Sequence, residues 1–154
     1  MNDLMRKPRR RRAFGIVLCG IVAVCLAARY LYDPPWVSGV TSGMRDWEVD
    51  QSGARFRWTS GHASFFVPSS ASEMTVPFRA VFPSPDGRPV VLKLAVDDRS
   101  IATIELRNQS EWARPILRLP RQTGSRRYRR VDVRVSRVVG FYNLGVEIGE
   151  MTFR

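Results

Sequence analysis

Pro89-Val90-Val91-Leu92-Lys93-Leu94-Ala95-Val96-Asp97 decides the fold class of this 154-residue chain. Val90, Leu92, Leu94 and Val96 share one parity, while Lys93 and Asp97 fall on the other. Successive side chains point to opposite faces of a strand, so this stretch reads as a strand with one buried and one wetted face. Asp97-Asp98-Arg99 is a tight turn, and Ala102, Ile104 and Leu106 line one face of the strand that follows.

Working outward, the same period of two recurs. Arg55–Thr59 alternates, with Phe56 and Trp58 turned inward, and His62–Val67 follows after Ser60-Gly61. Thr75–Phe82 puts Val76, Phe78, Ala80 and Phe82 on one side and Arg79 on the other, and Pro83–Gly87 turns the chain. Leu117 and Leu119 mark a short strand ending at Pro120; Val131, Val133 and Val135 alternate with Asp132, Arg134 and Ser136. Gly145–Phe153 carries Val146 and Ile148 around Glu147. Short strands at this spacing predict an all-β fold, an antiparallel jelly-roll or immunoglobulin-like β-sandwich of roughly seven or eight strands. Pro68, Pro77, Pro89, Pro115 and Pro120 belong at strand beginnings or edges, and Pro77 makes Thr75–Phe82 an edge strand or a bulged one.

The amino-terminal stretch obeys other rules. Ala13–Ala28 has no charge, and Tyr30-Leu31-Tyr32 continues the apolar run past Arg29. Ala13 to Leu31 makes about 28 Å of helix, just enough for a bilayer core. Phe14, Ile16, Val17, Leu18, Ile21, Val22, Val24 and Leu26 together favour insertion by about 2.5 to 5 kcal/mol. Arg6, Lys7 and Arg9 to Arg12 precede the run against Asp3 alone, which predicts a cytoplasmic amino terminus and a body outside a bacterial cytoplasmic membrane. A cleaved signal peptide is the rival reading, although Arg29 and two tyrosines sit poorly beyond a cleavage site. Either way the body is exported. The expected layout is a basic head (1–12), a transmembrane helix (13–32), a linker (33–44, with Pro34-Pro35 and Ser42-Gly43) and a sandwich (45–154).

Charge and cysteines follow that layout. The formal net charge is +11, and the head supplies five of these charges as topology signal. The rest is too modest, in an exported body, to suggest a nucleic-acid partner. Cys19 and Cys25 both lie in the apolar run, about 120° apart on a helix, so they cannot form a bridge together. Gly15, Cys19, Ala23 and Ala27 recur every four residues as a ridge of small side chains that suits helix–helix packing.

The body offers little catalytic chemistry. His62 is the one histidine, without a nucleophile signature such as G-x-S-x-G and without companions for a zinc site. Asp97-Asp98 lacks the spaced oxygens of a calcium loop. Glu105, Glu111, Glu147 and Glu150 alternate with apolar positions and read as solvated strand faces. No catalytic residue, metal or cofactor is expected. The candidate ligand-binding residues are Trp112 and Tyr142, in connections, and Tyr128, Arg129 and Arg130 from the basic cluster Arg126–Arg130. Arg127 and Arg129 share parity with Val131, so the core is expected to begin at Val131 with the cluster projecting beyond it.

Gly53-x-x-Phe56-Arg57-Trp58-Thr59, Ala63-Ser64-Phe65, a later loop Trp112 and Asn143-Leu144-Gly145-Val146 occur in a telling order. Together they resemble the small exported β-sandwich that ends many bacterial membrane-bound sugar transferases and also occurs alone behind one membrane helix. The resemblance covers about residues 50–152. In that family Asp and Arg usually precede Leu-Gly-Val, where this chain has Phe141-Tyr142-Asn143. The resemblance implies a carbohydrate-binding-like sandwich on the outer membrane face, with no catalytic residue to carry over. The expectation is an envelope accessory or carbohydrate-binding-like module that engages glycan or a membrane glycosyltransferase. The alternatives are a structural subunit of a glycan-assembly enzyme and an envelope enzyme with an unrecognised site.

Overall fold

The computed structural model describes residues 7–82, 86–107, 110–122 and 124–154, with residues 7–13 as backbone only. The chain divides after Pro35 into two compact units. The turn expected at Pro83–Gly87 falls in part on residues 83–85, outside the described residues, as does Thr123 of the loop after Pro120.

The first unit holds one helix, α1 (Lys7–Tyr32). It ends where the apolar pattern ends but begins six residues earlier than expected. Pro8 allows this, because the first turn of a helix has no use for its N–H, and arginine is a good helix former. Among the described residues this is the one helix long and apolar enough to cross a membrane, by length and composition. Its large apolar side chains, Phe14 to Tyr32, are exposed.

The second unit is an antiparallel β-sandwich, as the periodicity predicts. A 3-10 turn (Pro35–Gly39) leads to β1 (Ser42–Met44), β2 (Glu48–Val49) and β3 (Arg55–Pro68). Then come β4 (Glu73–Thr75), β5 (Phe78–Arg79), β6 (Val90–Val96), β7 (Arg99–Leu106) and β8 (Ile116–Arg118). The series closes with β9 (Tyr128–Val135), β10 (Glu147–Gly149) and β11 (Thr152–Phe153). The larger sheet runs β5-β10-β3-β9-β6-β7, with β1 and β2 also on β3; the smaller runs β11-β4-β8. Ser42–Met44, which composition places at the end of the linker, pairs with β3.

The strand count exceeds seven or eight because β1 and β2 are added ahead of the expected series and because two expected strands break where the chain changes sheet. Thr75–Phe82 splits at Val76-Pro77: β4 belongs to the small sheet and β5 to the edge of the large one. Proline lacks the N–H that a continuous ladder would need. Gly145–Phe153 splits at Glu150-Met151 in the same way. A third segment passes alongside, since Ala113 bridges Phe78 at the large sheet while Ile116–Arg118 joins β4 in the small one. The lateral order is the same on both sides: Ala113, β5, β10 in one sheet and β8, β4, β11 in the other. The small sheet therefore continues one end of the large sheet around a corner.

Two other expected strands fuse. Ser60-Gly61 does not interrupt β3, whose first half pairs with β10 and whose second half pairs with β9. A Cβ on Gly61 would come within 3.2 Å of Val138 Cγ1, so this glycine serves close packing rather than a turn. Phe56 in the first half is buried outside the main core cluster, whereas Phe65 and Val67 in the second half are buried within it.

Between the sheets lie Phe65, Met74, Val76, Phe78, Leu92, Leu94, Val96, Val131, Val133, Val146 and Ile148, all fully buried. The Val90–Val96 alternation holds residue for residue, with Lys93 outside. Asp97 and Asp98 form the β6–β7 turn with φ of 48° and 65°, the left-handed pair that a two-residue hairpin demands.

Candidate functional site

The corner where three segments pass between sheets holds a cleft of about 610 Å³. Trp112 and Arg114 line it from one segment, Thr75 and Pro77 from the second, and Gly149, Glu150 and Thr152 from the third; Ser52–Arg55 close it. Each wall has a local cause. Ala113 exchanges both backbone hydrogen bonds with Phe78, at 2.8 and 2.9 Å, which pins Trp112 next to β5. Gly149 donates its N–H to the Pro77 carbonyl at 3.0 Å. A Cβ on Gly149 would lie 3.1 Å from Pro77 Cβ and 3.5 Å from the Trp112 ring, so a bare backbone lets the indole lie close. At the fourth wall, Asp50 Oδ1 accepts the backbone N–H groups of Ser52 (2.9 Å) and Ala54 (3.0 Å), closing a turn whose Gly53 has φ of 82°.

Behind the indole lies a buried charge cluster. On the face of the large sheet away from the core, Arg79, Glu147 and Trp58 form one cross-strand row. The Arg79 guanidinium carbon sits 4.4 Å from the Trp112 ring centre and 5.6 Å from that of Phe56. Arg79 Nε donates to Glu147 Oε2, and Nη1 reaches Asp50 Oδ2 at 3.3 Å. Glu147 is 3% exposed. Burial pushes its carboxyl above the ordinary glutamate range, against the pull of Arg79. Asp50 moves the other way, held down chiefly by the Ser52 hydroxyl. Arg79 thus fixes the ring of Trp112 from behind, while the rest of the cleft stays open.

Glu147 is a correction to the sequence reading, which places it on a solvated face. Its strand is three residues long and flanked on both sides, and Arg79 covers the carboxylate. Trp58 is a second correction. It belongs not to the main core but to the opposite face, stacked on Phe82 at 5.4 Å and edge-on to Phe56 at 6.3 Å.

Of the five candidate ligand-binding residues, only Trp112 lies in the cleft. Tyr128, Arg129 and Arg130 are not a projecting cluster but the first residues of β9, opposite Pro68, Val67 and Phe66 of β3. Arg129 is buried, its Nε donating to Asp97 Oδ2 at 2.9 Å and its Nη1 to the Pro120 carbonyl. Arg130 donates to Asp132 (2.9 Å) and Asp98 (3.0 Å), and Asp132 holds its guanidinium pKa up. Both arginines latch the β6–β7 turn onto β9, Arg129 buried and Arg130 at the surface, and each already has carboxylate partners within the sandwich. Tyr142 sits apart on a hairpin, its ring 5.0 Å from the Arg45 guanidinium carbon. His62 Nε2 meets Asp132 Oδ1 at 3.1 Å, but that carboxylate is shared with Arg130. Among the described residues no serine or cysteine hydrogen-bonds the His62 ring, and no cluster of metal-ligating residues occurs. Gly15, Cys19, Ala23 and Ala27 all lie on α1, with nothing within 4 Å of a Cβ built on Gly15.

Sequence reasoning missed Arg79, Asp50, Glu147, Arg114 and Gly149. Arg79 and Glu147 are direct cross-strand partners, a pairing visible only once β5 is known to lie beside β10.

No family model matches the chain, and no curated protein matches its sequence. Among solved structures it is similar to the EclA C-terminal domain, described as a sugar-binding protein: TM-score 0.46, 15% identity, 71% of this chain and 90% of that one. A family 6 carbohydrate-binding module is also similar (TM-score 0.46, 8% identity, 74% of this chain and 85% of that one). So is a family 35 carbohydrate-binding module from an environmental isolate (TM-score 0.46, 12% identity, 73% and 86%). These neighbours are carbohydrate-binding-module-like β-sandwiches, and none of the three is described as a sugar transferase.

Proposed function

We propose that this chain is a membrane-anchored carbohydrate-binding module that holds a glycan in the Trp112 cleft. One observation carries the reading: an indole ring is backed by Arg79 in a cleft whose other walls carry Arg114 and the exposed Arg55–Glu150 ion pair. A sugar ring offers a flat array of C–H groups to an aromatic face and hydroxyls to charged side chains around it. A site with one fixed aromatic and a few convergent polar groups suits that chemistry. The cleft volume lies within the range of small-ligand sites, about 300–1,000 Å³.

The anchor in this reading is α1, with the basic head in the cytoplasm of a bacterium and the sandwich outside the inner membrane. The accessory role follows, with the module keeping an envelope glycan, or a membrane glycosyltransferase working on it, near the bilayer. The small-residue ridge of α1 is the surface through which such an enzyme would pack.

The test is retention of the full chain, in detergent, on immobilised envelope polysaccharides. Wild type should be retained, and Trp112→Ala should weaken retention about tenfold, or roughly 1.4 kcal/mol. Absence of retention on every envelope glycan fraction would sink the reading.

A further inference from the structure

The hairpin that carries Tyr142 has a use that the cleft does not account for. Val139 and Leu144 exchange backbone hydrogen bonds at 2.7 and 3.0 Å, and Asn143 N–H closes the turn on the Gly140 carbonyl at 3.2 Å. Phe141 and Tyr142 are therefore the two apex residues of a four-residue turn. Gly140 and Asn143, which flank the apex, take left-handed conformations, with φ of 73° and 51°. Nothing in that geometry asks for aromatic residues at the apex, where polar side chains are the rule. Yet Phe141 is 94% exposed, more than any other large apolar side chain among the described residues, and Tyr142 is 65% exposed.

The hairpin is not a loose loop. Gly145 donates to the Thr59 carbonyl at 2.7 Å, and a Cβ on Gly145 would lie 2.7 Å from Thr59 Oγ1, so its base is pressed onto β3. Arg45 donates to the Tyr142 carbonyl at 3.1 Å and sits over its ring. The result is a rigid tip with two aromatics, each of about 150–250 Å², and a guanidinium directly behind.

We infer that this tip is a wedge that enters the headgroup layer of the same bilayer that α1 crosses, with Arg45 meeting lipid phosphate. The inference rests on the membrane-anchored part of the proposed function and is independent of the glycan part. Phenylalanine supplies the apolar body, and tyrosine is an amphipathic ring of the kind that collects at membrane interfaces. An arginine beside them pairs with phosphate oxygens. Two aromatics bind a membrane only weakly by themselves. Here β1, which ends one residue before Arg45, is tied to α1 through residues 33–41 alone. So short a tether makes the second contact intramolecular and raises its effective concentration. Trp36, 59% exposed within that tether, has the same interfacial character.

The experiment uses the full chain in phosphatidylcholine–phosphatidylglycerol nanodiscs, with Cys19→Ala and Cys25→Ala. A fluorophore is attached at Asn143→Cys, beside the wedge, and in separate samples at the exposed Thr103→Cys and at Val22→Cys within α1. Lipids with a spin label near the headgroup quench fluorophores in that layer. Quenching at position 143 should exceed that at 103 by about threefold and fall to the level of 103 when Phe141→Ser and Tyr142→Ser are added. An unchanged urea-unfolding midpoint would show that the double variant is folded. If position 22 is quenched by deeply labelled lipid but 143 is no more quenched than 103, the wedge fails and the anchor stands. If position 22 is not quenched, anchor and wedge fall together. Quenching at 143 that survives the double substitution overturns the wedge as well. So does fluorophore self-quenching that grows with chain density and needs Phe141, which would make a second copy the occupant.

Discussion

Two arginine–aromatic clusters look alike in this sequence and differ in the fold. Around Tyr128, Arg129 is buried, but its carboxylate partner Asp97 is half exposed, and Arg130 is paired with Asp98 near the surface. Around Trp112 the order is reversed: Arg79 and both its partners are largely buried, and Glu147 most of all. The first cluster consumes Arg129 and Arg130 in closing a turn. The second uses one arginine to hold a ring, which leaves the ring beside an open cleft. A run of arginines is thus a poor guide to a site, because what matters is whether the fold has already supplied their counter-charges.

The largest expected effect tests that contrast directly. Arg79→Ala leaves Glu147 buried without its cation and should cost about 3–5 kcal/mol at pH 7 by urea denaturation. A loss below about 1 kcal/mol would erase the distinction between the clusters. Arg129→Ala should cost less, about 1–3 kcal/mol, because Asp97 can rehydrate once its partner is gone. Retention on glycan should survive Arg129→Ala and not Arg79→Ala.

The smallest effect is a slope. Burial raises the folded-state pKa of Glu147 above the ordinary value of 4.5, so the folded chain holds that proton more tightly than the unfolded one. Its contribution to stability is therefore full below 4.5 and is lost as pH rises through the folded value. Asp50 has the opposite sign: its contribution is present above 3.8 and disappears as pH falls through its lowered folded pKa. Melting temperature should accordingly decline with pH just above 4.5, and Glu147→Gln should flatten that decline. An unchanged slope would mean that Glu147 is not the buried acid described here.

Some of this is legible in the amino-acid sequence, and the rest is hidden for identifiable physical reasons. The faces of Val90–Val96, Val131–Val133 and Val146–Ile148 were legible because a period of two has a single solution when one side is apolar. Pro77 was legible as a disturbance, since proline cannot serve a central ladder. Trp112 was legible as a large aromatic in a polar connection. Arg79 and Glu147 were not, because alternation assigns a side chain to a face and does not say what covers that face. The burial of Arg129 is hidden for the same reason: its parity points inward, and only the arrival of Asp97 and the Pro120 carbonyl shows how a guanidinium can be buried there.

The sequence by itself determined the division into an apolar helix and a β-rich body, the sandwich class, and the absence of cysteine from the sandwich. Those are properties of composition and period, which local chemistry sets. Only the tertiary structure decided that three segments turn one corner together, at Pro77, before Pro115 and after Gly149. The cleft, the cation behind its indole and the buried Glu147 all follow from that meeting. No single segment encodes it, because each wall comes from a part of the chain that is distant in sequence.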